Sequence, residues 1–390
     1  MAGTWQKENF FPLKNLFNEL KLRASWGLNG NQAIGAYETI SRLAVENMVA
    51  GNRTQPGYIP VKLGLDDLGW ESSRVINLGL DFGILKNRVS GNINWYLTNT
   101  TDLLLDRTIS AVHGITTITQ NIGETENTGL ELSLNTKNIV ANKFQWSTSG
   151  NVSFNKNKIV SLYGLRDANG REIDDVANRW FIGQPIRVNY DYVWEGVWQL
   201  DEATEAAKYG SKPGYVKLKD FDKDGILRPE DRRIIGQRDP KLLWGLTNTF
   251  SYSNFTLNVF VHGVHGVTTQ NFLMTDEVQG AEVRNNTLLK NWWTPTNPTN
   301  GWIMNKLEAA RMAGNLGRIY ESSNFIRLKD ISLAYDLPKS LIDKASISRL
   351  RLFVTGRNLA TFTNWTGMDP ELLSRPASSE FLYKRSMFLV

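Results

Sequence analysis

Residues Arg74 to Ile84, RVINLGLDFGI, alternate without a break. Ile76, Leu78, Leu80, Phe82 and Ile84 fall on one side, and Asn77, Gly79, Asp81 and Gly83 on the other. A period of two is the repeat of a β-strand, whose successive side chains point to opposite faces. After a short turn at Lys86-Asn87 the pattern resumes. Val89, Gly91, Ile93, Trp95 and Leu97 share one face; Ser90, Asn92, Asn94, Tyr96 and Thr98 share the other. Two such strands with a tight connection make a hairpin. A chain written this way needs an apolar partner for one side of every strand and water for the other.

The signature recurs. Leu130, Leu132 and Leu134 alternate with Glu131, Ser133 and Asn135, and Phe144, Trp146, Val152 and Phe154 share one parity. Phe255, Leu257, Val259 and Val261 alternate with Thr256, Asn258 and His262, and Leu350, Leu352 and Val354 with Arg351 and Thr355. Further strands are expected near Leu20–Leu28, Lys241–Tyr252, Phe325–Leu337 and Phe381–Val390. Ile186–Trp198 and Tyr215–Phe221 are open: both cross the sheet or neither does. Short connections at Lys86-Asn87, Lys137–Lys143, Ser253-Asn254 and Pro338–Ser346 alternate with long ones at Asn29–Trp70, Asp102–Gln120, Val264–Ser323 and Thr361–Glu380. Strands of about ten residues with short turns at one end and long loops at the other are the plan of an outer-membrane barrel. A soluble sandwich uses shorter connections at both ends.

Composition narrows the rest. Asn, Thr, Ser and Gly are abundant, so helix propensity is poor. The net charge of +5 is spread without a Lys/Arg stripe, which argues against nucleic acid. With no cysteine there is no disulfide, thiolate metal site or cysteine nucleophile. No apolar run approaches the roughly 18 residues of a membrane helix. The start, MAGTWQKENFFPL, lacks the basic-then-apolar order of a signal peptide. These facts alone would describe a soluble cytoplasmic chain; the strand and loop pattern points instead to a membrane.

Several stretches together resemble one family. They are LKLRASWGLNGNQ, GLDFGILKNRVSGNINWY, NTGLELSL, RRIIGQRDPKLLWGLTNTFSYSNFTLNVFVHG, NFIRLKDISLAYDLP and RLRLFVTGRNLATFTNWTGMDPE. In this order they resemble the C-terminal barrel region of SusC/RagA-type TonB-dependent transporters, over nearly the whole of residues 1–390. The resemblance implies an all-β fold, an antiparallel transmembrane β-barrel with long extracellular loops, in the outer membrane of a Gram-negative, Bacteroidetes-like cell. It implies import of oligosaccharides or peptides, with a SusD-like lipoprotein, the TonB complex and membrane lipid as partners. Such barrels have about 22 strands around a plug. Nothing here matches the plug, so the expectation is a fragment of about 10–12 C-terminal strands, inactive alone. FFPLKNLFNELKLRASWG reads as the middle of a barrel, and YKRSMFLV departs from the usual aromatic-ended last strand.

Asp220 to Asp231, DFDKDGILRPED, has the spacing of a calcium loop. Asp220, Asp222 and Asp224 would give carboxylates, Gly225 the sharp turn, Ile226 its backbone carbonyl and Asp231 the last carboxylate. No helix precedes it, since GYVKLK reads as extended. A structural Ca2+ clip in an extracellular loop is therefore expected rather than a sensor; an ion-free Asx-rich turn is the other reading. In the longest loop stand Trp292, Trp293 and, after Pro295 and Pro298, Trp302. They could stack on sugar rings or meet a partner lipoprotein. They could equally form the loop's own core, which a long loop needs to stay ordered. His262 and His265 have opposite parities, poor geometry for one metal, and His113 is alone. No GxSxG, HExxH or GxGxxG occurs, and no enzyme is expected. The competing reading is a soluble or secreted, calcium-stabilised β-protein that binds carbohydrate, with the apolar parity in a dry core.

Overall fold

A computed structural model places residues 2–4, 16–32, 34–35, 37–110, 112, 114–271, 291–304, 320–343, 347–367, 369–371 and 386–389. Strands β1 (Ala2–Thr4) and β2 (Phe17–Asn31) come first, then a small hairpin, β3 (Arg42–Ala50) and β4 (Arg53–Lys62). The long strands β5 (Glu71–Ile84) and β6 (Val89–Thr101) follow. A second small hairpin, β7 (Leu104–Thr108) and β8 (Thr117–Asn121), precedes β9 (Glu124–Val140) and β10 (Phe144–Ser161). The next connection holds β11 (Val188–Asp191), β12 (Trp194–Val197), helix α1 (Ala203–Lys208), β13 (Val216–Leu218) and β14 (Arg233–Gln237). The chain continues through β15 (Leu242–Tyr252), β16 (Phe255–His265), β17 (Thr268–Gln270), β18 (Tyr320–Ser322) and β19 (Phe325–Asp336). It ends with α2 (Lys339–Ile342), β20 (Arg351–Thr363) and β21 (Ser386–Leu389).

Eleven strands make the main sheet, in the order β1-β2-β5-β6-β9-β10-β15-β16-β19-β20-β21. Its described registers are antiparallel. The open pair is thereby decided. Neither Ile186–Trp198 nor Tyr215–Phe221 joins this sheet; they supply β11, β12 and β13, which pair locally as β11 with β14 and β12 with β13. The short turn expected at Lys137–Lys143 is shorter still, because β9 runs on to Val140. The Ala141 amide closes it on the Phe144 carbonyl at 2.9 Å.

The chain divides into two compact units, Met1–Asn135 with Ser153–Ile186, and Thr136–Val152 with Arg187–Val390. In the first, register turns the alternation of each strand into a two-faced sheet. Leu22 lies opposite Leu80, Ala24 opposite Leu78 and Trp26 opposite Ile76; Leu78 and Leu80 lie opposite Trp95 and Ile93. Directly opposed residues share a face. That face is exposed: Trp26, Leu22, Leu78, Ile93 and Trp95 all present large apolar surface. The other face is laced by polar contacts. Arg23 grips Asp81 with two nitrogens, at 2.8 and 2.7 Å, and Asn94 at 2.8 Å. Tyr96 donates its hydroxyl to Asn155 at 2.9 Å.

The second unit repeats the arrangement. Phe250 lies opposite Leu257, and Leu246 opposite Val261; Leu257 and Val259 lie opposite Leu333 and Ile331. Tyr335 and Leu333 lie opposite Leu352 and Val354. The residues expected to point outward are Ile76, Leu78, Leu80, Ile93, Trp95, Leu132, Leu257, Val259 and Leu352. None of them belongs to the buried core among the described residues. One departure from strict alternation occurs in β19. The register shifts between Leu328 and Asp330, a β-bulge at Lys329. The apolar face is carried by Ile326 and Leu328 before the bulge and by Ile331 and Leu333 after it.

Candidate functional site

The buried side chains of the second unit gather off the main sheet. β12 and β13 pair between Val197 and Val216, and the Trp198 amide extends the ladder to the Tyr215 carbonyl at 2.9 Å. Gly214 then turns with φ +87°. A side chain there would collide with Trp293 and Met304, so glycine is required both by conformation and by space. Its amide donates to the Trp198 carbonyl at 2.7 Å, and its carbonyl accepts from Met304 at 2.8 Å. Segments about 90 residues apart in the chain are thus knitted together. Around this knot pack Val197, Trp198, Ala206, Tyr215, Val216, Leu218, Trp293, Trp302 and Ile303.

The polar atoms of this core are matched. Trp293 donates its indole N–H to Gln199 Oε1 at 2.9 Å, and Val197 donates its amide to Asn300 Oδ1 at 2.9 Å. Trp302 stacks on Trp194 with ring centroids 5.8 Å apart. Lys217 sits over the Trp198 ring at 4.7 Å and reaches Glu202 at 2.6 Å. The Lys217 contact, then the Gln199 amide, hold the Glu202 carboxyl below its ordinary pKa. Trp293 and Trp302 thus lie in the loop's own core, one of the two readings the sequence left open. They are 2% and 3% exposed and supply packing that a long loop needs to stay ordered. Trp292, half-buried, packs against the same cluster.

The acidic loop grows directly out of this core. It begins two residues after β13, an extended lead rather than a helix. Asp220 accepts the Lys223 amide at 2.6 Å, the Gly225 amide at 2.9 Å and the Tyr209 hydroxyl at 3.1 Å. Asp222 accepts the Asp224 amide at 3.2 Å, and Asp224 the Ile226 amide at 2.8 Å. Lys223 and Gly225 take φ of +61° and +84°, which folds the loop back on itself. One carboxylate oxygen from each of Asp220, Asp222 and Asp224 lies within 4.8 Å of the others.

Asp231 is not among them. It is 2% exposed, and its two oxygens accept the Phe221 amide at 2.9 Å and the Arg228 amide at 3.0 Å. The expected fourth carboxylate is instead a buried brace that ties the end of the loop to its beginning. Arg228 places its guanidinium 2.6 Å from Asp224.

The crowding of charge shows in the titration of the loop. Desolvation pushes Asp220 up, but the amides of Gly225 and Lys223 outweigh it, and the group sits below its ordinary value. The Asp224 amide pulls Asp222 down, yet the adjoining Asp220 carboxyl and the nearby charges leave it raised. Burial, then the bond to Asp220, pushes the Tyr209 hydroxyl up to about 12. A carboxylate raised by its neighbours is one that a cation would relieve.

His262 and His265 do not converge. His265 accepts the Trp244 indole N–H at 3.0 Å, while His262 stacks on Phe260 on the opposite face of β16. His113 lies outside the described residues.

A sheet with one exposed apolar face, one polar face and folded loops between long strands defines a membrane barrel wall. Residues 4–261 match the family described as TonB dependent receptor-like, beta-barrel, and the chain belongs to that family. It is 34% identical over 383 residues to TonB-dependent receptor P3 of Formosa agariphila, covering 95% of this chain and 38% of that protein. It is 28% identical over 397 residues to TonB-dependent receptor SusC of Bacteroides thetaiotaomicron, covering 96% of this chain and 37% of that one. Among solved structures it is similar to the RagAB peptide importer in its 'closed-closed' state. There the TM-score is 0.75 at 25% identity, over 95% of this chain and 40% of that chain. The chain spans less than two fifths of the curated relatives it matches. Its place is the outer membrane, and its relatives are receptors and transporters rather than enzymes. Family membership sets aside the reading as a soluble carbohydrate-binding protein.

Proposed function

We propose that this chain is part of the barrel wall of a SusC-like transporter that imports oligosaccharides or peptides. On this reading TonB energises import, and a SusD-like lipoprotein works with the barrel. The observation that carries the proposal is the two-faced sheet. Its apolar face suits lipid, and its polar face, with Arg23, Asp81, Asn92, Asn94 and Tyr96, suits a wet lumen. Likeness to a receptor named SusC supports the SusC-like class, and likeness to a peptide importer supports peptide as one candidate solute. The chain alone is not sufficient on this reading, since edge strands in lipid leave unpaired backbone groups that cost several kcal/mol each. Cells carrying only this chain should take up neither labelled oligosaccharide nor labelled peptide. Energised, TonB-dependent uptake by those cells would overturn the reading as a partial barrel. A host in which its coding region is deleted should lose uptake of one of the two; unchanged uptake of both would overturn the import reading.

The acidic loop has a structural role in this proposal. Asp220, Asp222 and Asp224, with the backbone carbonyl of Ile226, would hold one Ca2+. What supports this is the convergence of three carboxylates on one point. Asp231 would act indirectly, as the brace that sets the loop. Bound calcium would fasten the loop to the Tyr209 side of the aromatic core. Replacing Asp222 and Asp224 with Ala should lower protease resistance of the loop in calcium to the level seen in chelator. Wild-type protein that is cut equally fast in calcium and in chelator would rule the ion out.

A further inference from the structure

On the polar face of β19 stands Arg327, 1% exposed and opposite His262 and Thr361. Its Nε donates to Thr361 Oγ1 at 2.9 Å. Its two terminal nitrogens reach beyond the sheet, one to Glu371 and the other to Asp369, in the connection that follows β20. The bulge in β19 brings Lys329 to the same place. Lys329 Nζ lies 2.9 and 2.7 Å from the two oxygens of Glu371. One carboxylate is thus cradled by two cations, and a second occupies the remaining edge of the guanidinium. The connection is tied by polar groups elsewhere too. Thr366 donates its hydroxyl to Glu321 at 2.7 Å and accepts from Asn271 at 3.0 Å. The Glu371 amide donates to Asp369 at 2.9 Å.

This makes the described part of 364–371 a strap, closed on the polar face by charge. A guanidinium this buried cannot be left bare; an unpaired buried charge costs enough to shift an equilibrium by a hundredfold or more, roughly. In the closed strap Asp369 and Glu371 supply that pairing, and an oxyanion reaching the polar face competes with them for Arg327 and Lys329. We propose that the strap is an exchangeable latch: Asp369 and Glu371 stand in for an oxyanion, and a solute bearing a carboxylate or sulfate displaces them and frees the connection. The inference concerns the latch alone and does not depend on which solute the barrel imports.

Hydrogen exchange of the full chain, purified from outer membranes in mild detergent, tests it without any transport readout. The primary variant is Asp369→Asn with Glu371→Gln, which keeps size and hydrogen bonding and removes charge. Both positions lie outside the strands, so the sheet should fold as before. Amides of 364–371 should exchange about a hundredfold faster than in the wild type, while those of β16 and β19 stay protected. In wild-type protein, sodium sulfate should speed exchange of the strap relative to sodium chloride of equal ionic strength. In the variant, sulfate should add nothing. Wild-type exchange in the variant would overturn the latch. Equal exchange in sulfate and chloride would overturn the exchange with an oxyanion.

Discussion

Replacing Trp293 with alanine is expected to melt the folded loop module while leaving the main sheet intact. Trp293 is among the largest fully buried side chains described. Large aromatic-to-alanine changes at such sites cost about 3–5 kcal/mol, from lost transfer energy and the cavity left behind. Here the loss is compounded. Gln199 loses the donor that its side-chain oxygen accepts from, and Gly214 loses the ring that covers it. Neither is rescued by the main sheet, because among the described residues β12 and β13 pair with each other and not with it. Limited proteolysis should therefore cut within 188–237 far faster in Trp293→Ala than in wild type, with unchanged heat-modifiable migration of the barrel. The same change at half-buried Trp292 should cost distinctly less. A Trp293→Ala protein as protease-resistant as wild type would mean that Trp293 does not hold the module together.

An arginine at Leu80 should strongly impair insertion, and one at Ile84 should not. Both side chains lie on the apolar parity of β5, whose apolar run ends at Arg74 on the same parity. Leu80 sits midway between Arg74 and the turn that follows Ile84. On a lipid-facing strand a charge costs about 2–4 kcal/mol at mid-membrane and about 0–1 near the interface. A dry protein core has no such dependence on height. Urea titration of protein folded into vesicles should show the larger loss for Leu80→Arg and a small one for Ile84→Arg. Equal losses at the two positions would mean that this face is packed against protein rather than lipid.

Much of this molecule is readable along one dimension. A period of two is local, so β5, β6, β9, β15, β16 and β20 can be seen in the residues themselves. The direction of each face follows because opposed residues in an antiparallel pair must share it. The spacing of Asp220, Asp222 and Asp224 is local as well, and a turn through Lys223 and Gly225 suffices to bring them together. The bulge in β19 had a signal that strict alternation hides: apolar residues move from even positions, Ile326 and Leu328, to odd ones, Ile331 and Leu333.

What the tertiary structure alone decided depends on contacts between distant segments. Trp293 is core because Gln199, 94 residues earlier, accepts its indole proton, and because Gly214 leaves room for its ring. Asp231 is a brace because it is buried away from the three converging carboxylates and its two oxygens accept the amides of Phe221 and Arg228, tying the end of the loop to its beginning. Arg327 carries no local sign of its role, since its carboxylate partners lie 42 and 44 positions further on. Alternation records which side of a strand a residue faces; it carries no record of what arrives there from elsewhere in the chain, and burial and charge pairing are properties of that arrival.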